Sequence, residues 1–299
     1  MKISLGSWAF SFGPFAADPI PFDRTVRRLS EAGYDGIELC GFPPHLTLDE
    51  YPTRESRREV VRRLEDHRLG VSGYSADFTA VNPVIEENRS RYLDLFRRQV
   101  EMCADLGSPA LRVDSGAAPG SIRNRDYAAA MDRLASVWRE GAEIAAEAGV
   151  RVVWEFEPGF VFNKPSEAAA LHEKVGHANF TILFDTSHAY MSAVVGARQH
   201  GARETLPGGV PQLLRMLQGR IGAVHIIDSD GTLYHDETSR HVPFGRGLID
   251  FRAIAPQLAS IPGLDWWCVD MCFCPESWNL VERSLEFVRD LLAQAAAAR

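Results

Sequence analysis

The chain has 299 residues, is 45% hydrophobic and 24% charged, and carries a formal net charge of −8. Such an acidic chain is a poor electrostatic partner for nucleic acid or for an anionic membrane surface, and we expect neither as a partner. The length fits two small domains or one α/β barrel. Lysine occurs at only three positions, which leaves few candidates for Schiff-base chemistry: Lys2, Lys164 and Lys174.

The opening segment MKISLGSWAFSFG lacks the basic run, apolar stretch and small-residue cleavage site of a signal peptide, and it predicts a strand. No apolar stretch approaches the length of about 18 residues that a membrane span needs. The five cysteines are an odd number in a chain without a secretion signal, which favours reduced thiols. These features predict a cytoplasmic protein.

Short apolar strand patterns alternate with longer helical patterns along the whole chain. The strands are predicted at residues 3–10, 34–41, 70–76, 109–115, 150–158, 180–188, 221–228 and 264–273. The intervening segments carry apolar residues near i, i+3, i+4 and i+7, and several end in glycine before the next strand. Eight successive βα units predict a closed (β/α)₈ TIM barrel.

An open doubly wound sheet is disfavoured because the first turn, SFGPFAADP, lacks a GxGxxG fingerprint. No linker or composition break divides the chain, so residues 1–299 are predicted to form a single domain. The one long connection, SAVVGARQHGARETLPGGVP at residues 192–211, predicts either a surface insertion at a subunit contact or a lid over the barrel mouth.

Chemistry in such a barrel lies at the C-terminal ends of the strands. The polar residues at the predicted ends are Glu38, Arg112, Asp114, Glu155, Glu157, Asp185, His188, His225, Asp228 and Asp270. Strands five to eight each offer a carboxylate or imidazole that we expect to converge above the barrel: Glu155, Asp185, His225 and Asp270. This oxygen-rich set predicts a divalent metal site that prefers Mn²⁺, with Mg²⁺, Co²⁺ or Zn²⁺ as further possibilities.

Four segments resemble the xylose-isomerase-like superfamily: GVRVVWEFEP, FTILFDTSHAY, AVHIIDSDG and SRHVPFGRGLIDF. This group contains sugar isomerases, ketose epimerases, inosose dehydratase and AP endonucleases. The early segment YDGIEL fits the same pattern, and the resemblance runs in order over essentially the whole chain. It implies the same four metal ligands, a small-molecule sugar or polyol substrate, and a homo-oligomer. It also implies that His188 and Arg240 contact substrate hydroxyls.

The chain departs from the superfamily pattern at two positions. Strand eight offers Asp270 where the family has Glu, a side chain one methylene longer. Strand seven has Ile227 where a lysine is frequent, which removes one polar contact to substrate. The first departure leaves two questions open: whether Asp270 reaches the metal, and whether it acts as a base.

Four further residues are candidates for substrate contact. Glu157 has the same strand parity as Glu155, which predicts a second contact inside the barrel mouth. Trp8 is predicted either to wall a sugar pocket or to pack in the core. His45 follows strand two and is a candidate general acid. Arg240 is predicted either to contact a substrate oxygen or to form a surface salt bridge.

The segment WWCVDMCFC places Cys268, Cys272 and Cys274 close together. Their spacings do not match the CxxC pairs that are typical of zinc sites, and free cysteine packs as a small apolar residue. We therefore expect core cysteines, with Cys272 near the pocket, over a thiolate metal or redox cluster.

The sequence predicts a divalent-metal-dependent isomerase or epimerase that acts on a non-phosphorylated keto-sugar or polyol through an enediolate. Glu155 and Asp270 are the predicted bases. One alternative is a lyase, either a dehydratase or an enzyme that cleaves an oxidised glycoside, with His188 or His45 as the acid. Another is a non-catalytic binding or partner subunit. No lysine lies at a strand end for an aldolase, and strand three, GYSADF, lacks the histidine of an AP endonuclease.

Overall fold

The computed structural model describes residues 1–122 and 124–297. Its strands are β1 (Lys2–Gly6), β2 (Gly36–Cys40), β3 (Gly70–Ser75), β4 (Ala110–Val113), β5 (Arg151–Glu155), β6 (Phe180–Asp185), β7 (Ile221–Ile226), β8 (Asp228–Tyr234), β9 (Thr238–Val242) and β10 (Trp266–Val269). Strands β1 to β7 and β10 form one closed parallel barrel, in which β10 lies between β7 and β1. The predicted (β/α)₈ barrel is confirmed.

The helices are α1 (Phe22–Ala32), α2 (Arg54–Asp66), α3 (Arg89–Leu106), α4 (Tyr127–Glu147), α5 (Pro165–Val175), α6 (Thr186–Tyr190), α7 (Gly209–Met216), α8 (Phe251–Ala259) and α9 (Val281–Ala297). Local signals set their ends. Thr53 caps α2 by accepting a hydrogen bond from the Ser56 backbone N–H at 3.2 Å. Gly33 ends α1 with a φ of 87°, a left-handed conformation that glycine adopts without a steric cost. Within the described residues, no helix has the length and hydropathy of a membrane span.

The main core lies between the barrel and the helices. Alternation along β5 turns Val152 and Trp154 toward the helices and Val153 into the barrel, where it packs in a separate small cluster. Trp154 lies 5.5 Å from Trp138 of α4, measured between ring centroids. The inward face of the same strand ends in Glu155, so the register that builds the core also delivers a carboxylate to the barrel mouth.

Four predicted strands end three or more residues early in the structure: 3–10 at Gly6, 150–158 at Glu155, 180–188 at Asp185 and 264–273 at Val269. The segment 180–188 is strand only to Asp185, where α6 begins, because the Asp185 side chain caps that helix by accepting from the His188 backbone N–H at 2.7 Å. The segment 264–273 is strand only over β10, and Asp270 follows directly after it.

The hairpin of β8 and β9 was not predicted. It follows β7 at the barrel mouth, and its strands pair antiparallel, with Asp228 opposite Val242 and Ser229 opposite His241. The tight turn has positive φ angles at both His235 and Asp236, the combination that defines a type I′ turn. This hairpin carries residues of the functional site.

Candidate active site and metal centre

The four residues predicted as metal ligands lie together at the mouth of the barrel. Each is at most 4% exposed, and each offers an atom within 4.8 Å of the others: Glu155, Asp185, His225 and Asp270. The Nδ1 atom of His225 lies 3.0 Å from Glu155 Oε1 and 3.4 Å from Asp270 Oδ2. Three carboxylates and one imidazole therefore face a common point.

Asp270 reaches this cluster despite its short side chain. Its backbone N–H bonds to the Ile226 carbonyl at 3.2 Å, which extends the ladder between β10 and β7 by one residue toward the mouth. Its Oδ1 accepts hydrogen bonds from Trp8 Nε1 and from the Cys272 backbone N–H, both at 2.8 Å. These donors fix the carboxylate so that Oδ2 faces His225.

His225 is held on its other side by a carboxylate from β2. Its Nε2 lies 3.1 Å from Glu38 Oε2, and Glu38 is 6% exposed. A carboxylate in this position sets the ring orientation of a ligating histidine and leaves the opposite nitrogen for the metal. Here that nitrogen is Nδ1, which faces the cluster.

Arg112 from β4 compensates part of the negative charge. Its Nε and Nη2 lie 2.7 and 2.6 Å from Glu155 Oε2, and its Nη1 donates to Asp114 Oδ2 at 2.8 Å. Glu157 Oε1 is 3.5 Å from Nη2. One buried guanidinium thus faces three carboxylates, which leaves the site with an excess of negative charge.

This charge balance shifts the pKa values of the two carboxylates that face His225. Burial alone would raise the pKa of Glu155, but the charges of Arg112 and His225 outweigh it and hold the pKa below its usual range. Burial likewise opposes ionisation of Asp270, but His241 and His225 hold the pKa of Asp270 well below its ordinary value. Both carboxylates are therefore ionised at neutral pH.

The remaining groups retain protons more readily. Burial and the nearby charge of Asp270 raise the pKa of Asp185 to about 7. Burial would lower the pKa of His241, but the charges of Asp270 and Asp185 raise it to about 9. Glu157 also has a pKa raised to about 7, mainly by burial. Without a cation, the cluster compensates its charge with protons.

The donor set fits a divalent cation. Asp185 Oδ2 is buried without a hydrogen-bond partner, whereas His241 Nδ1 lies 3.4 Å from Asp270 Oδ1. Unpaired buried polar atoms are costly, and a cation in the cluster would give the Asp185 oxygen a partner. The oxygen-rich set is the kind that hard divalent ions prefer.

A cavity of about 370 Å³ opens above the cluster, and three of the predicted substrate contacts line it: Trp8, Glu157 and His188. The Nδ1 of His188 lies 2.7 Å from Ser239 Oγ, and its Nε2 lies 3.9 Å from Glu157 Oε2. Burial lowers the pKa of His188 to about 3, which keeps the imidazole neutral.

Two predicted substrate contacts are corrected because the structure places them outside this cavity. His45 is 1% exposed, its Nε2 lies 3.3 Å from the Ile20 carbonyl, and its ring packs against Phe22. Arg240 is exposed, because alternation along β9 turns Ser239 and His241 inward and Arg240 outward.

The structure adds His241, Arg112 and Glu38 to the residues of the site. Sequence reasoning placed Arg112 and Glu38 at predicted strand ends without giving them a role, and His241 falls within the segment SRHVPFGRGLIDF. An arginine and a glutamate on inward barrel positions were the available signal for Arg112 and Glu38, since unpaired charges are rare there. His241 required the hairpin, because only pairing with β8 turns it toward the cluster.

All five cysteines are free and buried. Cys40 and Cys272 line the cavity, whereas Cys268 and Cys274 do not. Burial raises the pKa of Cys40 to about 12 and that of Cys272 well above its ordinary value. Protonated thiols of this kind support core packing rather than a thiolate site.

These features define a class: a (β/α)₈ barrel whose strand ends gather a buried carboxylate–histidine cluster suited to a divalent ion. The chain belongs to the xylose isomerase-like TIM barrel family, whose model matches residues 26–291. The resemblance of the sequence to this family is confirmed. A comparison with curated proteins gives no match.

Solved structures share the fold over the full length of the chain. A D-tagatose 3-epimerase-like protein has a TM-score of 0.73 at 20% identity, covering 100% of this chain and 99% of its own. IOLI with a bound zinc atom has a TM-score of 0.72 at 19% identity, covering 100% and 99%. The probable 3-DHS dehydratase AsbF, involved in petrobactin synthesis in Bacillus anthracis, has a TM-score of 0.73 at 17% identity, covering 97% and 99%.

Proposed function

We propose that the protein is a divalent-metal-dependent isomerase or epimerase that acts on a non-phosphorylated α-hydroxy ketone, a keto-sugar or a polyol-derived ketone. The proposal rests on one observation: four side chains converge at the mouth of the closed barrel, namely Glu155, Asp185, His225 and Asp270. Epimerases among the similar solved structures support the substrate class.

Glu155, Asp185, His225 and Asp270 would hold the ion, with Mn²⁺ preferred by ligand type. A bound divalent ion would polarise the substrate carbonyl and make the neighbouring C–H more acidic. Glu38 keeps His225 in the ligating orientation, and Arg112 keeps Glu155 ionised.

Glu155 and Asp270 are proposed as the bases. They come from β5 and β10, which lie on opposite sides of β7 in the barrel, and both approach the Nδ1 of His225. One carboxylate would remove the proton next to the carbonyl. In an epimerisation the other carboxylate, after taking up a proton from solvent, would return that proton on the opposite face. Both are ionised at neutral pH, as a base must be.

His188 and Glu157 bind the polar end of the substrate in this proposal. His188 is neutral and held by Ser239, so its Nε2 serves as a hydrogen-bond partner for a hydroxyl rather than as a proton source. Glu157 accepts a hydrogen bond from Thr238 and lines the cavity beside it. Trp8 orients Asp270 and closes the floor.

A metal-dependent lyase is the second candidate. It would begin with the same proton removal but expel a leaving group. Glu157 favours it, because this carboxyl group lines the cavity outside the four-residue cluster, and its pKa, raised to about 7, lets it carry the proton that a leaving group needs. The dehydratase among the similar folds supports the same possibility.

The test is hydrogen exchange in D₂O with the Mn²⁺-loaded protein and D-fructose, D-tagatose or a keto-inositol. The proposal predicts deuterium at the carbon beside the carbonyl, detected by NMR, and its loss in Glu155→Gln. Glu167→Gln is the matched control, since Glu167 bonds Tyr127 outside the cavity. Release of water would favour the lyase. Tight binding without exchange would contradict both and favour a binding protein.

A further inference from the structure

One side of the cavity is apolar. It is formed by Phe12, Phe42 and Phe273, which are half-buried, and by the buried thiols Cys40 and Cys272. Phe12 and Phe42 meet edge to face with ring centroids 5.4 Å apart, and Phe12 stacks on Phe273 at 6.4 Å. We call these five residues the apolar wall.

The apolar wall is continuous with the carboxylate cluster. Trp8 packs in the same apolar group as Cys40 and Cys272, and its Nε1 donates to Asp270 Oδ1 at 2.8 Å. The Trp8 ring also lies 5.3 Å from the His225 ring. The wall is therefore within direct reach of a ligand held at the cluster.

The backbone of Phe273 is strained, and neighbouring groups hold its ring in this wall. Its φ of 61° is in the left-handed region, which is a true outlier for a bulky non-glycine residue. The ring is fixed by stacking on Tyr234 at 4.4 Å and 10°. It is also fixed by Gly13, where a Cβ would lie 2.8 Å from a ring carbon. Strain that the surrounding structure maintains is concentrated at functional sites.

The chemistry of the wall selects against hydroxyl groups. None of its five side chains carries a nitrogen or oxygen atom, so a hydroxyl placed there would lose its hydrogen bonds to water without replacement. A flat apolar group would instead gain contacts with three aromatic rings. A cavity of about 370 Å³ lies within the range of about 300–1,000 Å³ that is usual for ligand pockets.

We infer that the substrate has two parts: an α-hydroxy ketone at the carboxylate cluster and a flat apolar substituent, of the aromatic type, against the apolar wall. The identity of the polar part rests on the proposed function. The position of the apolar part rests on the wall alone.

The test compares the methyl and phenyl glycosides of one 3-keto-glucose, with D-fructose as the free ketose. Calorimetry on the Mn²⁺-loaded protein measures binding, and exchange in D₂O measures proton removal separately. The phenyl glycoside is expected to bind about tenfold or more tightly than the methyl glycoside. Phe42→Ala and Phe273→Ala each remove this difference. Phe244→Ala keeps it, because Phe244 stacks on Phe287 outside the cavity.

Equal binding of the two glycosides, or no binding of the phenyl glycoside, would overturn the inference, and exchange with D-fructose would leave the proposed function standing. Tighter phenyl binding without exchange would keep the apolar subsite and contradict the proposed function. If Phe273→Ala does not fold by circular dichroism, Phe42→Ala alone decides the outcome.

Discussion

Glu38 provides a sensitive test of how the centre is built, because it contacts His225 but lies on the side away from the proposed metal. Glu38→Gln keeps the size of the side chain and an oxygen that can accept from Nε2, at 3.1 Å in the native protein. It removes only the negative charge that makes the histidine a stronger donor to a cation.

The expected effect is a 10- to 100-fold loss of metal affinity, about 1.4–2.8 kcal/mol at 1.4 kcal/mol for each factor of ten. The upper half of this range is expected here, because Glu38 is 6% exposed and water cannot replace it. The loss should appear as weaker binding with an unchanged number of sites, since the four facing atoms remain.

The assay is calorimetric titration of the metal-free protein with Mn²⁺. Glu167→Gln controls for removal of a half-buried carboxylate elsewhere and should bind Mn²⁺ as the native protein does. Native affinity in Glu38→Gln would refute the assignment of Glu38 as the group that orients His225.

Three further predictions concern stability. Arg112→Ala removes the guanidinium from three carboxylates and leaves only His225 beside the charge of Glu155, so the metal-free protein should lose about 3–5 kcal/mol of unfolding free energy in urea; an unchanged midpoint would contradict this. Asp270→Glu adds a methylene where Oδ1 already bonds Trp8, so overpacking should cost about 1–3 kcal/mol and lower the melting temperature; a higher melting temperature would argue against this packing. The raised pKa of His241, about 9 against 6.5, means that the folded, metal-free protein keeps a proton that the unfolded chain releases. Its unfolding free energy should therefore fall by about 1–3 kcal/mol from pH 6.5 to 9. Urea titrations across that range check this, and a rise with pH would be the wrong sign.

The barrel and the floor of the site were predictable because both depend on short-range periodicity. Alternation fixes which residues face inward, and parallel strands end at the same rim, so Glu155, Asp185 and His225 follow from strand order alone. The sequence alone does not decide whether the Asp270 side chain reaches the cluster, because that depends on the register between β10 and β7, which no local pattern encodes.

The hairpin explains why the sequence pattern alone gives His241 no role. Its strands are short and polar, and they carry no strong apolar alternation. A strand placed one residue out of register exchanges its inner and outer faces, so neighbouring residues swap environments. Long-range pairing with β8 decides the question.

His45 illustrates a second limit of sequence reasoning. Its position after β2 places it at the active end of the barrel, but a loop's path is set by its packing against other elements. Here the ring turns away from the cavity and packs on Phe22 of α1. Periodicity carries no information about that choice.

The central claim is that Glu155, Asp185, His225 and Asp270 together hold one divalent ion. The most direct measurement is the Mn²⁺ content of the protein after loading and desalting, determined by mass spectrometry for the native chain, His225→Ala, Asp270→Asn and the control Glu167→Gln. The native protein and the control should each retain about one ion per chain, and both site variants should lose most of their bound metal. Native metal content in both site variants would contradict it.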